Sequence, residues 1–264
     1  MITGVSTASM FMREMNEDAL TILNELGVEC TEIFLATYSE YSKEFATLLK
    51  QRAGALCVNS VHLLNTQFEP QLFSSHERAR KDAYDLLNWT MNSAKIFGAK
   101  AYTFHGISRL KKSFKGLNYA KMGKDFNEMI SVCKKYGISL CLENVHWATY
   151  AEPGIFKEFK KYCPDLKGVF DIKQARLSEY PYGEYISDME GCISHVHLSD
   201  YDEKGDIRLP SEKGKTDFCD VFKQLKDAGF NGAVIIEVYP NDYKEYIELK
   251  RSCDYLNEII YKIY

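Results

Sequence analysis

Short apolar runs alternate along the chain with longer segments whose apolar residues recur at helical spacing. Apolar runs of about four to eight residues are typical of strands that are covered on both faces, whereas the longer periodic segments are typical of amphipathic helices. The pattern predicts eight strands, at Ile2–Ser6, Glu32–Ala36, Ala55–Leu64, Ala101–Phe104, Ser139–Leu142, Gly168–Phe170, Ile193–Leu198 and Ala233–Ile236.

Helical segments are predicted between most of these strands and after the last one. Asn16 is the expected N-cap of the first helix, and Ser74 with Glu77 has the spacing of a capping box at the start of the longest helix. The segment after the sixth strand is less regular. The other predicted helices lie at about 42–52, 118–136, 156–162, 217–227 and 243–261.

This alternation of strand and helix is typical of a parallel sheet with right-handed crossovers. Eight such units in 264 residues predict one closed (β/α)8 TIM barrel, a single domain spanning residues 1–264. The alternative is an open doubly wound sheet. No glycine-rich GxGxxG or GxxxxGK[ST] segment follows the first predicted strand, which disfavours the nucleotide-binding forms of that alternative.

Residue types that can bind a metal stand at the ends of the third to the eighth predicted strands. The active site of a (β/α)8 barrel lies at the C-terminal ends of its strands, so we expect these side chains to meet. Carboxylates and imidazoles without a thiolate suit a divalent ion such as Mn²⁺, Mg²⁺, Co²⁺ or Zn²⁺. The six residues are His62, His105, Glu143, Asp171, His197 and Glu237.

The other three histidines have different expectations. His76 lies at a predicted helix start and is assigned a structural role. His195 is two residues before His197, so it shares the face of His197 but lies one layer deeper, and it is also interpreted as structural. His146 is close to Glu143 and is a candidate for substrate contact.

Composition narrows the possible partners. The net charge of −4 supplies no overall field that attracts a polyanion, which makes nucleic acid an unlikely ligand. The eight cysteines form no CxxC pair, and we interpret them as reduced, which predicts a cytoplasmic protein. We expect neither a signal peptide nor a membrane span, because no long apolar run is present. The oligomeric state has no signal in the sequence.

The ordered set of strand-end residues resembles the xylose isomerase-like barrel superfamily, which holds sugar and sugar-phosphate isomerases and epimerases together with endonuclease IV. The motifs are LEN, FDI, HVHLSD and IIEVY, and the resemblance extends over almost the whole chain. For the epimerase branch it implies one divalent metal ion. The residues implied as its ligands are Glu143, Asp171, His197 and Glu237.

The same resemblance implies the chemistry. The substrate would be a small carbohydrate, an open-chain ketose or aldose whose adjacent oxygens are held by the metal. Glu143 and Glu237 would be the base and acid of a proton shift between neighbouring carbons, through an enediolate that the metal stabilises.

Two positions depart from the family pattern. Gln174 stands where many members have a histidine, and an amide is a poor metal ligand but can bind a substrate hydroxyl. Arg208 lies in the loop after the seventh strand, where it is either a ligand for substrate oxygens or a phosphate, or a solvated cation. The predicted substrate-binding residues are therefore His62, His105, His146, Gln174 and Arg208.

Two alternative functions remain open. Endonuclease IV uses three zinc ions; His62, His105 and Glu143 match its first site and allow a second ion here. Its third site is incomplete because Gln174 and Arg208 replace histidines, which disfavours cleavage of abasic DNA. A non-catalytic sugar-binding barrel is disfavoured because binding alone does not require both glutamates.

Overall fold

The computed structural model describes residues 1–64, 68–108 and 116–264. Eight parallel strands form a closed barrel, in which the first strand pairs with the last. The predicted (β/α)8 TIM barrel is confirmed, and the open sheet is wrong. The strands are β1 (Ile2–Ser6), β2 (Cys30–Leu35), β3 (Cys57–Leu63), β4 (Ala101–Phe104), β5 (Ser139–Glu143), β6 (Lys167–Asp171), β7 (Ile193–Leu198) and β8 (Ala233–Ile236).

Helices surround the barrel and connect successive strands. The segment after β6 holds two short helices, which explains its irregular sequence pattern. The described helices are α1 (Asn16–Glu25), α2 (Lys43–Ala53), α3 (Glu77–Phe97), α4 (Tyr119–Lys135), α5 (Ile155–Lys160), α6 (Ile172–Leu177), α7 (Tyr182–Asp188), α8 (Phe218–Asp227) and α9 (Ile247–Ile263).

Two predicted helix caps are wrong. Asn16 is the first residue of α1, and its side-chain amide donates to the Phe34 carbonyl oxygen at 2.8 Å, which ties α1 to β2. At α3 the N-cap is His76, whose Nδ1 accepts from Ala79 N at 3.3 Å. Ser74 Oγ accepts from His76 N at 3.1 Å instead of capping the helix, so His76 has a structural role at this end.

The main apolar core lies between the strands and the helices. Inside the barrel, apolar side chains form two separate clusters; these are Cys30, Ala233 and Ile235, and Ala101, Cys141 and Val169. A Cβ on Gly4 would lie 2.1 Å from the Cys30 carbonyl oxygen, so β1 and β2 require glycine at this close approach. The next interior layer is polar, and it supports the strand-end residues above it.

After β7 the chain forms a short hairpin in which Asp200–Tyr201 pairs with Ile207–Arg208. Asp200 Oδ1 accepts from the backbone amides of Lys215 and Thr216, both at 3.0 Å, and this closes the loop that carries the hairpin. The hairpin carries Arg208, whose side chain is 43% exposed.

All eight cysteines are free, as expected for reduced thiols. Within the described ranges, no helix combines the length and the apolar character needed to cross a bilayer. The cytoplasmic location stays a prediction.

Candidate metal centre and active site

All six predicted strand-end residues point into the C-terminal mouth of the barrel. The strand register explains this, because Asp171 pairs with His197 and His197 pairs with Ile235, two residues before Glu237. Side chains two residues apart on a strand share a face, so His195 lies one layer below His197, as predicted. The six side chains are buried, and the most exposed, Glu237, is 9% accessible.

Four of these residues converge on one point. His197 Nδ1 lies 3.0 Å from Glu143 Oε1, 3.5 Å from Glu237 Oε2 and 3.9 Å from Asp171 Oδ2. One donor atom from each residue lies within 4.8 Å of all the others. The strand ends therefore present three oxygens and one nitrogen to a single small space.

Two of these oxygens have no hydrogen bond. Among the described residues and their contacts, Asp171 Oδ2 and Glu237 Oε2 are buried and lack a hydrogen-bond partner. An unpaired buried carboxylate oxygen is strongly disfavoured unless a cation neutralises it. The donor set and its two unpaired oxygens therefore fit a divalent ion held by oxygen and imidazole ligands.

His62 and His105 adjoin this ligand set. Their Nε2 atoms lie 2.9 Å apart, and His105 Nε2 is 3.0 Å from Glu143 Oε2. His62 Nδ1 lies 3.3 Å from Glu237 Oε2. Both imidazoles thus share the pocket of Glu143 and Glu237, and His62, His105 and Glu143 offer a second group of donors for an ion.

The carboxylates of the site differ in their pKa. Burial alone would raise the pKa of Glu143, but hydrogen bonds from His105 and His197 hold it well below its usual value. Burial is likewise overcome at Glu237, where the charges of His197 and Lys173 lower the pKa to about 2. Asp171 is different, because burial outweighs the attraction of Lys173 and raises its pKa to about 7.

The pKa values of two imidazoles in the site are raised, although burial alone would lower them. Burial would lower the pKa of His62, but the adjacent carboxylates of Glu237 and Glu32 raise it to about 10. Burial is overcome in the same way at His105, where the bonds to Glu143 and Glu69 raise the pKa to about 9. Without an added cation, the carboxylates are thus balanced by protonated imidazoles.

The sequence interpretation missed Glu32, which lies on β2 beneath the candidate metal ligands. It is fully buried and accepts from Thr103 Oγ1 at 2.6 Å and from Ser60 Oγ at 2.7 Å. Its Oε1 is 3.1 Å from His197 Nε2, and its Oε2 is 3.3 Å from His195 Nε2. A charged residue inside a strand that is covered on both faces was the signal that could have found it.

Lys173 and Glu69 were also missed. Lys173 is the second residue of α6, is 4% exposed, and places Nζ 3.4 Å from Glu237 Oε1. Burial would lower its pKa, but Asp171 and Glu237 raise it. Glu69 is buried below the mouth and accepts from Tyr102 Oη at 2.7 Å and from the amide of His105 at 3.1 Å. The spacing of apolar residues along the sequence does not indicate a buried charge at either position.

The remaining predicted residues lie at different distances from the centre. Gln174 borders the mouth, where its backbone amide donates to Asp171 Oδ1 at 2.8 Å. His146 is exposed and places Nδ1 2.7 Å from Gln174 Oε1. Arg208 pairs with Asp202 at 2.8 Å on the hairpin and is not among the described residues that line the mouth. Its contact with substrate stays a prediction without support from this geometry.

A cavity of about 470 Å³ opens above the ligand set. Polar side chains in its lining are His62, His105, Lys173, Gln174 and Glu237. Aromatic rings complete the lining and lie beside these polar groups; they are Phe11, Phe34, Trp147 and Tyr239. A space of this size, lined by aromatic rings and a few polar groups, is typical of a small-molecule site.

The fold and the strand-end residues define a (β/α)8 barrel with a candidate divalent-metal site at its C-terminal mouth. Residues 20–258 match the family described as xylose isomerase-like TIM barrel, and the chain belongs to that family. It is 25% identical over 248 residues to Uncharacterized protein MJ1188 of Methanocaldococcus jannaschii, a match that covers 89% of this chain and 87% of that protein.

Two solved structures are similar over their full length. One is D-psicose 3-epimerase from Clostridium cellulolyticum H10 with D-tagatose, and the other is the IOLI protein with a binding zinc atom. Each has a TM-score of 0.79 and 16% identity, and each match covers 100% of this chain and 99% of the other. At this identity the similarity concerns the fold.

Proposed function

We propose that the protein is a sugar or sugar-phosphate isomerase or epimerase that depends on a divalent metal ion. The observation that carries the proposal is the convergence of Glu143, Asp171, His197 and Glu237, in which two carboxylate oxygens have no hydrogen bond. Three carboxylates and one imidazole that face one small space, with no hydrogen bond to Asp171 Oδ2 among the described residues, are a donor set suited to a divalent ion.

The ion would be held by these four residues, and when bound it would supply positive charge to adjacent oxygens of the sugar. Glu143 and Glu237 would transfer the proton, one removing it from carbon and the other returning it on the neighbouring carbon or the opposite face. Their low pKa values keep both carboxylates ionised at neutral pH, so each can accept a proton.

The second oxygen of each glutamate is already hydrogen-bonded in this structure. Glu143 Oε2 lies 3.0 Å from His105 Nε2, and Glu237 Oε1 accepts from Lys173 Nζ at 3.4 Å. Proton transfer therefore requires one of these partners to give way to the substrate. His105 and His62 border the cavity and are proposed to bind the substrate hydroxyls, together with Gln174.

The comparisons support the choice of substrate class. One structure of the same fold is an epimerase with a bound ketose, and another holds zinc. A second ion between His62, His105 and Glu143 is compatible with the donors present. We propose one ion as the working state, because His105 Nε2 and His62 Nδ1 already face the carboxylates of Glu143 and Glu237, at 3.0 and 3.3 Å.

The test combines metal analysis with a screen of sugars. Protein stripped with a chelator is reloaded separately with Mn²⁺, Mg²⁺, Co²⁺ or Zn²⁺ and incubated in D₂O with a panel of ketoses, aldoses and their phosphates, followed by NMR. We expect metal-dependent conversion of at least one sugar, with no conversion in the stripped control. Tight metal binding without conversion of any sugar would contradict the proposal. Cleavage of abasic DNA by the same sample would instead support the alternative function, an endonuclease IV-like phosphodiesterase.

A further inference from the structure

Lys173 is a buried cation beside the candidate metal site. It is the second residue of α6, which begins directly after Asp171 at the end of β6, so the side chain turns inward to the barrel mouth. Only 4% of it is exposed. Burying a lysine costs free energy unless its charge is paired or takes part in function, and buried lysines are therefore rare.

The contacts of Lys173 connect the ligands with the cavity. Nζ lies 3.4 Å from Glu237 Oε1 and 3.9 Å from Asp171 Oδ2, and 5.0 Å from the ring centre of Tyr239. The side chain also lines the cavity above the ligand set. It therefore lies between two of the proposed ligands and the space that a substrate would occupy.

The hydrogen bonds leave part of the ammonium group available. Within the described part of the chain, Nζ makes one hydrogen bond, to Glu237, and this bond is long. An ammonium group has three N–H donors. A lysine whose role was to hold two carboxylates in place would be expected to make shorter and more numerous bonds, whereas this one keeps donors for a molecule in the cavity.

The charges of the site indicate a role for the Lys173 ammonium group. Glu143, Asp171 and Glu237 are the three carboxylates of the candidate ligand set, and a divalent ion would neutralise two negative charges. Lys173 adds a fixed positive charge beside two of these carboxylates, with Nζ 3.4 Å from Glu237 Oε1 and 3.9 Å from Asp171 Oδ2.

We propose that Lys173 is a catalytic residue of this site, which donates a hydrogen bond to the substrate oxygen that becomes negative during proton transfer. The catalytic part of this proposal, as distinct from the effect of Lys173 on metal binding, rests on the proposed function. When the base removes the carbon-bound proton, the C–H electron pair forms the new C=C bond and the carbonyl π electrons move onto oxygen. The Lys173 ammonium stabilises that oxygen while keeping its own proton.

This role predicts effects of opposite sign on metal binding and on turnover. A fixed cation near the ligands repels a second cation, so its removal should make the site bind Mn²⁺ about tenfold more tightly or better. Removal of a donor to a developing oxyanion should lower kcat by about 10²-fold. A lysine that merely supported the fold would weaken metal binding and turnover together.

The experiment compares Lys173→Met and Lys173→Gln with the parent protein. Mn²⁺ affinity is measured by competition with a chromogenic chelator, and kcat is measured on the sugar that the parent converts. Lys167→Met is the matched control, because Lys167 is the first residue of β6, about 13 Å along the strand from Asp171 at its other end. Lys173→Arg, which keeps the charge, should retain the parent affinity for Mn²⁺.

Tighter Mn²⁺ binding together with lower kcat in both neutral variants supports the proposal. Weaker or unchanged Mn²⁺ binding in a variant with the parent's thermal unfolding midpoint overturns it, as does parent-like kcat. If only one neutral variant folds, that variant decides. If the parent converts no sugar, the proposed function fails, while the Mn²⁺ measurements still decide whether Lys173 supplies charge to the site.

Discussion

Glu32 Oε1 lies 3.1 Å from Nε2 of His197, and Nδ1 of the same imidazole faces Glu143 at 3.0 Å. The ring therefore has a buried carboxylate on one nitrogen and the candidate metal position on the other. Such a carboxylate fixes the tautomer of a metal-binding histidine and makes it a better ligand. Thr103 and Ser60 in turn hold Glu32 by hydrogen bonds from their hydroxyls.

Substitution Glu32→Gln should lower the affinity for the divalent ion by about 10- to 100-fold, because the amide orients His197 less firmly and carries no charge. Metal titration of the stripped protein measures this. Glu29→Gln is the control, since Glu29 is exposed just before β2. Equal affinities in the two variants would show that Glu32 does not position the ligand.

Asn144 and Asp171 form a reciprocal pair that joins the ends of β5 and β6. The Asn144 amide donates to the Asp171 carbonyl oxygen at 2.8 Å, and Asp171 N donates to Asn144 Oδ1 at 2.7 Å. Asn144→Ala removes both of these buried hydrogen bonds, so we expect the free energy of unfolding to fall by roughly 2–5 kcal/mol.

Urea unfolding of the metal-free protein measures this loss. Asn127→Ala is the comparison, because Asn127 also donates to a backbone carbonyl, that of Tyr162, but on the surface. Its unfolding free energy should fall by about 1 kcal/mol or less. A loss for Asn144→Ala no larger than this would contradict a clamp at the strand ends.

The sequence predicts the barrel well for a physical reason. A parallel strand buried on both faces is a continuous apolar run, and the bounds of β1, β4, β7 and β8 agree with that pattern. The four candidate ligands could be placed at the mouth because they follow such runs directly; that they bind a metal stays a prediction. Helix starts were less predictable, because the side chains of Asn16 and Ser74 make hydrogen bonds other than the ones that cap a helix.

Other parts of the site depend on contacts that no local pattern contains. Lys173 faces the mouth because α6 starts without a loop after β6, and the same residue in a later turn would point to solvent. Glu69 comes from a long connection, yet it is buried against Tyr102 and His105. Such positions follow from the three-dimensional path of the chain.

Asp171→Asn should remove the metal while preserving the fold. The amide oxygen can still accept from Gln174 N at the start of α6, as Asp171 Oδ1 does now, but the charged ligand oxygen is lost. We expect metal content after dialysis to fall to about a tenth of the parent value or less. Asp217→Asn, at the N-cap of α8, is the control and should retain the parent content. Full metal content in Asp171→Asn would exclude it as a ligand.

The glutamate pair gives the most direct test of mechanism. Glu143 and Glu237 belong to strands on different sides of the mouth, with β6 and β7 between them in the barrel. Glu143→Gln and Glu237→Gln keep the shape of each side chain but remove its ability to take a proton. General acid–base catalysis contributes about 10²- to 10⁴-fold, so kcat on the identified sugar should fall by at least that factor.

Part of this loss would come from weaker metal binding, so each variant is assayed at saturating metal with its occupancy measured. Deuterium from the solvent should enter the product of the parent protein at the carbon beside the carbonyl, and its incorporation should be lost together with turnover in each variant. Glu69→Gln is a useful comparison, because Glu69 is also buried near His105 but lies outside the ligand set. Parent-like turnover in both glutamine variants at full occupancy would eliminate carboxylate-mediated proton transfer.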